Sequence, residues 1–266
     1  MTIYTEVSHP ELQASLEHGV LVLAINRPKA KNALYSELYH AICDALIAAE
    51  KDDQIKAVVL RGAEDDFSAG NDMGDFIKFF EYDLEKIKAG DLPPFRLLKT
   101  VAGFGKPIIL AIKGAAIGIG VTLLLHVDMA YADDTAVFQM PFLGLGVTPE
   151  GAATQLMVER IGYVETCELL YTAQKFDRQK AEKLGLINAL PDGADVYDYA
   201  YSQAQKIANM PHKTVRQTKQ LLKHDLARII QCIDDEAEIF MRHVQSPECK
   251  EAVLAFKEKR KPNFNQ

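Results

Sequence analysis

The sequence predicts an α/β protein on two observations: strand-like and helix-like segments alternate as far as about Pro191, and helical periodicity alone continues beyond it. Glu11 to Glu17 and Val20 to Asn26 are rich in apolar and β-compatible residues around His18-Gly19, the pattern of a hairpin. A helix follows, with Ser36 as its N-cap and Leu38, Ile42, Ala45, Leu46 and Ala49 recurring at helical spacing as one buried face. Ala57 to Leu60 is a strand, Phe95 to Ala102 a helix, Ile108 to Ile112 a strand, Gly120 to His126 a helix and Asp128 to Ala132 a further strand. Such interleaving implies parallel strands joined by helical crossovers. The helical remainder comprises Val196 to Asn209, His212 to Leu222 and a long helix from near Leu226. In the long helix Leu226, Ile229, Ile230, Ile233, Ala237, Phe240, Met241 and Val244 form a continuous stripe, which must be buried against the rest of the chain or against a neighbouring subunit. Residues 1–192 are therefore expected to form a core and 193–266 a helical region.

With 48% apolar and 25% charged residues in a chain of 266, the composition is that of an ordinary globular protein able to bury a sizeable core. The net charge of -7 excludes a general nucleic-acid binder, which needs a broad basic surface. A local basic run, Lys257, Lys259, Arg260 and Lys261 around Phe256 and Phe264, reads first as a solvated tail. Cys43, Cys167, Cys232 and Cys249 are too scattered for a zinc site or a disulfide framework and read as reduced core thiols. Met1 to Pro10 has no secretory pattern, the apolar stretch Ile108 to Ile119 is broken by Lys113 and glycines, and Asn263 to Gln266 carries no peroxisomal Ser-Lys-Leu address. A soluble cytoplasmic protein without a membrane partner is expected.

Three glycine-bearing segments, Phe67-Ser-Ala-Gly-Asn-Asp72, Gly114-Ala-Ala-Ile-Gly-Ile-Gly120 and Gly144-Leu-Gly-Val-Thr-Pro-Glu-Gly151, each fall between a predicted strand and a predicted helix, where loops deliver functional groups. None has the third glycine of a dinucleotide fingerprint or the Lys-Ser/Thr ending of a phosphate loop. Loosened strand ends of this kind leave backbone N–H groups unpaired, and two such loops can aim two donors at one oxygen; tight turns and close packing are the commoner use of glycine. Glu150 is the acid that stands out, following Pro149 inside an apolar stretch. Two roles fit it equally: a carboxylate in the first turn of a helix, stabilised as an anion, or a base whose pKa an apolar pocket raises. His126, His212 and His224 make no metal-ligand spacing and read as structural, and no serine occupies a Gly-x-Ser-x-Gly elbow.

Taken in order, Asn26-Arg-Pro-Lys-Ala-Lys-Asn-Ala33, Phe67-Ser-Ala-Gly-Asn-Asp72, Ala116-Ile-Gly-Ile-Gly120 and Ala255-Phe-Lys-Glu-Lys-Arg-Lys-Pro262 resemble the crotonase, or enoyl-CoA hydratase/isomerase, superfamily over nearly the whole chain. The resemblance implies a crotonase-like spiral of ββα turns at 1–192 carrying the CoA and acyl site. It implies that 193–266 is a C-terminal helical trimerisation region that also closes the CoA site, in a homotrimer or a dimer of trimers. The substrate is then an acyl-CoA thioester whose oxygen is gripped by two backbone N–H groups, here Ala69, with Asn71 as the nearby alternative, and Ile119. Such donors are worth about 3 kcal/mol each, because they meet charge that develops in the transition state. Ser68, Gly70, Asn71, Asp72, Met73, Gly118 and Phe142 are the implied neighbours of the acyl thioester. Lys29, Lys31, Ala33, Phe256 and Lys259 are the implied CoA contacts. No metal and no cofactor other than the CoA of the substrate is implied.

Hydratases of this family use two glutamates, at positions that read Thr122 and Phe142 here. Thr148-Pro-Glu-Gly151 instead resembles the peroxisomal-type 3,2-enoyl-CoA isomerases, as do Ser68-Ala-Gly-Asn-Asp72 and Pro141-Phe142, which makes Glu150 the single catalytic base of a double-bond shift. The alternatives are a hydratase or other acyl-CoA lyase, using Asp72 or an acid between Asp75 and Asp91, and a non-catalytic acyl-CoA-binding module. The segment Phe76 to Phe104 is expected to border the acyl chain.

Overall fold

The predicted hairpin opens the main sheet: β1 (Thr2–Ile3) pairs antiparallel with β2 (Leu12–Glu17), and β2 with β3 (Val20–Ile25), from Leu12 opposite Ile25 to Glu17 opposite Val20. The structure, a computed structural model, describes residues 2–4, 8–83 and 88–264, with the backbone alone at Thr2 and Ile3. From β3 onward the sheet is parallel. Helix α1 (Ser36–Lys51) crosses to β4 (Ala57–Gly62), α2 (Met73–Phe76) and α3 (Pro93–Gly103) cross to β5 (Ile108–Ile112), and β6 (Ala115–Ile117) with α4 (Ile119–Thr122) leads to β7 (Met129–Ala132). The strand order is β1-β2-β3-β4-β5-β7. The predicted strands and helices form, within a few residues at their ends, except that the segment expected to be helical from Gly120 to His126 is α-helical only to Thr122 and continues as a 3-10 turn at Leu123–Leu125.

Ser36 is an exception in its role. It is the first residue of α1, the N-cap being Tyr35, and its amide and hydroxyl both donate to Asp75, at 2.8 and 2.7 Å. The helix start is thus capped from α2, distant in sequence, where a local cap was expected.

A second layer of short extended segments stacks beside the sheet. Leu34 bridges Asn71, Ser68 bridges Ala116, and β6 pairs in parallel with β8 (Val137–Gln139), each between one turn of the chain and the next. After α5 (Ala153–Ile161) and α6 (Tyr163–Thr172), β9 (Phe176–Asp177) closes this layer antiparallel to β8, and α7 (Arg178–Lys183) follows. Each turn is therefore strand, second strand and helix, the ββα spiral that the resemblance implies. In the first two turns the second strand has shrunk to a single bridge.

Because helices cover both faces of the parallel sheet, its strands are buried on both sides and alternate between two cores. Leu21, Leu23, Val58, Leu60, Ile108 and Leu110 face the larger core, which includes α1 and α3. Val20, Val22, Ala57, Val59, Ile109 and Ala111 face the smaller one. That second face is covered by α8 (Val196–Ala208), through Val196, Ala200 and Ala204, so the chain beyond Pro191 completes the sheet's own packing. After α9 (His212–Leu222), the apolar stripe of α10 (Leu226–Val244) lies on the larger core, with Phe240 edge-on to Phe95 at 5.6 Å and to Phe76 at 6.2 Å. From Ile233 to Val244 the stripe is thus buried within its own chain, while Leu226, Ile229 and Ile230 are half-buried. Helix α11 (Pro247–Lys257) ends at the basic run, whose Lys257, Lys259 and Lys261 are exposed. All four cysteines are free, three of them buried, and no helix among the described residues is long and apolar enough to cross a membrane.

Leu110, fully buried at the centre of the parallel sheet, tests this arrangement. Leu110→Ala is expected to cost about 2–5 kcal/mol through lost burial and a residual cavity, seen as a lower midpoint in denaturant or thermal unfolding; an unchanged midpoint contradicts the packing.

Candidate active site

The single bridges of the second layer determine what the glycine-bearing loops expose. In the first loop, Phe67 N–H donates to Lys113 O, Ser68 N–H to Ala115 O, Ala69 N–H to Lys31 O at 2.8 Å and Asp72 N–H to Leu34 O. Gly70 N–H is taken by Ser68 Oγ at 3.1 Å, and that hydroxyl donates to Asn32 O. Among the described residues, the Asn71 N–H is the one amide of 67–72 that makes no hydrogen bond. Ala69, the first choice for an oxyanion donor, is therefore corrected: the second-layer pairing consumes its N–H, and the nearby alternative Asn71 is the free one.

Gly118 N–H donates to Gln139 O in the second loop, while Val121 and Thr122 N–H return to Gly118 O. Ile119 is the first residue of α4, so its N–H has no helical acceptor and makes no hydrogen bond among the described residues. The two loops are held together by Ile117 N–H to Ser68 O, in register with the Ser68–Ala116 bridge. Asn71 and Ile119 each lie three residues beyond that bridge. Gly70 makes the approach possible: its φ is +84°, and a Cβ there would stand 2.7 Å from Ile117 O.

Glu150 does not sit in the first turn of a helix, as its position after Pro149 suggested. Gly151 and Ala152 both have left-handed backbone, with φ of 77° and 55°, which no α-helix accommodates, and α5 begins only at Ala153. The segment that leads to it follows a 3-10 turn at Leu143–Leu145 where a strand end was expected. A Cβ on Gly151 would press on Thr122 Cβ at 3.1 Å and Leu98 Cδ2 at 3.2 Å, and His126 Nε2–H donates to Gly151 O at 2.7 Å. Burial drives the His126 pKa down to about 4, so its ring is a neutral donor that pins the turn.

That turn delivers the Glu150 carboxyl to the interior, 2% exposed. Oε1 accepts one hydrogen bond from Thr122 Oγ1 at 2.7 Å, and Oε2 has no partner. Burial pushes the pKa up to about 8; the Thr122 bond opposes the rise and the nearby Glu236 carboxyl adds to it. Of the two roles left open by the sequence, the geometry excludes the helix-start anion. Tyr39 of α1 completes the wall. Its hydroxyl donates to Asn71 Oδ1 at 2.5 Å, and burial, with the Glu150 and Asp75 carboxyls, holds it protonated well above the usual range.

Thr122, Tyr39, His126 and Glu236 are contributions that the motifs did not reveal. The available signals were faint: Tyr39 is a hydroxyl on the apolar face of α1, and His126 ends an apolar helix. Phe142, 5% exposed, and Gly118 stand at the starts of the turns that follow them, and Ser68 is buried within the loop scaffold. Asp72 caps α2 through the amides of Gly74 and Asp75 and pairs with Arg27 at 2.7 Å. Burial raises its pKa, but the bonds from Arg27, Asp75 and Gly74 outweigh that and hold it below its ordinary value. Asp75, bonded to Ser36 and Lys78, is lowered in the same way. Both acids, with Arg27 and Lys78, line a surface pocket of about 310 Å³ beside the first loop. Met73 opens α2, packed in part against the larger core. Lys29, Lys31 and Ala33 lie in and after the 3-10 turn Pro28–Ala30, while Phe256 and Lys259 stand exposed at the end of α11; no hydrogen bond or ion pair joins the two groups among the described residues. Of the predicted acyl border, residues 84–87 lie outside the described residues, and Phe76, Phe79 and Phe95 are buried.

Gly70→Ala is expected to push the loops apart and remove about 10²-fold or more of kcat, because a donor displaced by an ångström no longer meets the oxyanion. Steady-state kinetics on protein whose melting curve confirms that it is folded checks it, with a lowered melting temperature expected from the strained backbone; wild-type kcat contradicts the loop geometry.

Comparison with known proteins agrees with this fold. The family model described as enoyl-CoA hydratase/isomerase matches residues 15–266. The chain is 31% identical to human enoyl-CoA delta isomerase 2 over 247 residues, covering 92% of itself and 62% of that protein, so it spans less than two thirds of that relative. It is 32% identical to the short-chain-enoyl-CoA hydratase of Clostridium acetobutylicum over 251 residues, 92% of this chain and 94% of that one. A solved structure from Acinetobacter baumannii bearing the hydratase/isomerase name is 53% identical with a TM-score of 0.86, covering 92% of this chain and 100% of its own. With the spiral, the paired loops and a match over nearly its whole length, the chain belongs to the enoyl-CoA hydratase/isomerase family of the crotonase superfamily.

Proposed function

We propose that the enzyme is a Δ3-Δ2-enoyl-CoA isomerase, which moves the double bond of a 3-enoyl-CoA to the trans-2 position with Glu150 as its one proton carrier. The observation that carries this is the buried Glu150 carboxyl, its pKa raised by burial and its one hydrogen bond taken from Thr122. Thr122 and Phe142 are the positions at which hydratases of the family carry their two glutamates. Glu150 removes a proton from C2, the thioester becomes a dienolate whose oxygen is met by the Asn71 and Ile119 N–H groups, and Glu150 returns the proton at C4. A base with a pKa of about 8 is poised for both transfers near neutral pH. An apolar wall keeps out the water that hydration requires.

A hydratase remains the competing activity, because relatives of similar identity carry either name. Of its candidate acids, Asp72 and Asp75 are tied into ion pairs with Arg27 and Lys78, which favours the isomerase, while Glu85 of the segment between Asp75 and Asp91 lies outside the described residues. The isomerase needs no cofactor beyond the CoA of its substrate, and Lys29, Lys31, Ala33, Phe256 and Lys259 are its proposed CoA contacts. A homotrimer or dimer of trimers is supported by the exposed apolar side chains of Val164 on α6 and of Leu221 and Leu222 on α9, 81%, 78% and 77% exposed. The free cysteines suit a reducing, cytoplasmic setting.

Product analysis decides between the activities: 3-enoyl-CoA is expected to give trans-2-enoyl-CoA without the 3-hydroxyacyl product, and efficient water addition overturns the isomerase. Glu150→Gln is expected to lower kcat by about 10²–10⁴-fold, the range for removing an acid–base group. The base acts ionised, so kcat/KM of the wild type is expected to fall as pH drops below about 8.

Stability moves the other way. The folded pKa lies above the ordinary 4.5, so the contribution of this group is full below that value and lost as pH rises towards 8. Glu150→Gln should then melt no lower than wild type at pH 8, and a variant that unfolds there contradicts the account.

A further inference from the structure

Glu150 is not alone at its turn. Glu236, on α10, is 6% exposed. Its Oε1 accepts from Thr154 N–H at 3.0 Å and from Thr154 Oγ1 at 2.6 Å, with the Cys232 thiol at 3.8 Å, while its Oε2, like that of Glu150, has no partner. The Ala152 amide also turns towards it. The left-handed pair Gly151–Ala152 thus has one carboxyl at each end, one from the turn itself and one from the far end of the chain. Ala152 is the N-cap of α5 and has no side-chain oxygen with which to cap it, so Glu236 supplies the acceptor from outside. Capping needs only a neutral acceptor, whereas a carboxyl buried here brings a desolvation cost and a charge that acts on its neighbour.

We propose that Glu236 is a positioning residue for Glu150: it anchors the turn that carries the base and sets a second carboxyl against it, so that the C-terminal helical region takes part in the chemistry. This rests on Glu150 being the base. Two carboxyls in one dry site do not ionise independently; each raises the other's affinity for a proton. The other groups facing the pair leave that coupling uncompensated. Thr122 of α4 is neutral, the buried His126 ring is neutral and donates to Gly151 O, and Tyr39 of α1 stays protonated. Burial pushes the Cys232 thiol up to about 11. Arg160 of α5 is committed to Leu124 O, and Lys223 to the carbonyls of Ala102 and His126. Among the described residues no cation pairs with either carboxyl.

Glu236→Gln keeps the acceptor for Thr154 and removes the charge; Glu236→Ala removes both. Infrared difference titration against the matching Glu150→Gln variants reads the Glu150 carboxyl without substrate. Its apparent pKa is expected to fall by about half a unit or more in Glu236→Gln, with the acid limb of the isomerisation profile moving equally. Glu236→Ala is expected to lower kcat about tenfold or more with KM little changed, in protein whose melting curve confirms that it is folded. Coincident Glu150 titrations in wild type and Glu236→Gln overturn the proposal, and so does a Glu236→Ala enzyme with wild-type kcat. A wild type that fails to isomerise 3-enoyl-CoA removes the isomerase alone, since the infrared comparison still decides whether the two carboxyls are coupled.

Discussion

A carboxyl group held in the interior by one hydrogen bond is the constraint around which the rest is arranged. Thr122 supplies that bond, and the second oxygen of Glu150 is left without a partner. An unpaired buried charge is costly, and the group meets the cost by holding its proton to a pH near 8. The same property makes it useful, because a carboxyl that gains and loses a proton close to neutrality is suited to carrying one between two carbons. Much of the local architecture then acts to prevent Glu150 from escaping to water: the left-handed turn after it, the His126 bond to that turn, and the packing of Gly151 against Thr122 and Leu98.

The spiral contributes the other half of the site through register. Each turn of chain lays one short extended segment beside the last, from Leu34 to Asn71, from Ser68 to Ala116 and from Ile117 to Gln139. A pairing of this kind consumes backbone groups in a fixed order, and what it leaves over is as definite as what it uses. Along the first loop it leaves Asn71; along the second, the start of α4 leaves Ile119. Main-chain donors placed by sheet register need no particular side chain, so an isoleucine at 119 is compatible with an oxyanion hole.

Much of the main sheet and its helices was legible in the sequence, because parallel strands buried on both faces make short apolar runs and amphipathic helices keep their period over many residues. The small second layer was not, since a strand reduced to a single bridge, as at Leu34 or Ser68, has no periodicity to detect. The choice between Ala69 and Asn71 depended on that hidden layer, which is why it stayed open. Pro149 misled in a related way: proline before an apolar run is a helix-start signal, but the left-handed Gly151–Ala152 pair intervenes. Thr122 was visible as the loss of an acid, and its positive role as the hydrogen-bond donor to Glu150 appears only when residues 28 positions apart are brought together. Glu236 was hidden inside a stripe whose apolar members explained themselves.

The most direct test of the single-base account follows one label. Deuterium placed at C2 of a 3-enoyl-CoA and turned over in ordinary water should appear in part at C4 of the trans-2 product, because a buried Glu150 carries the same nucleus from one carbon to the other before solvent exchange is complete. Transfer should vanish together with turnover in Glu150→Gln. Isomerised product with no deuterium at C4 under any condition, or transfer that persists in Glu150→Gln, would contradict the claim that this one carboxyl moves the proton.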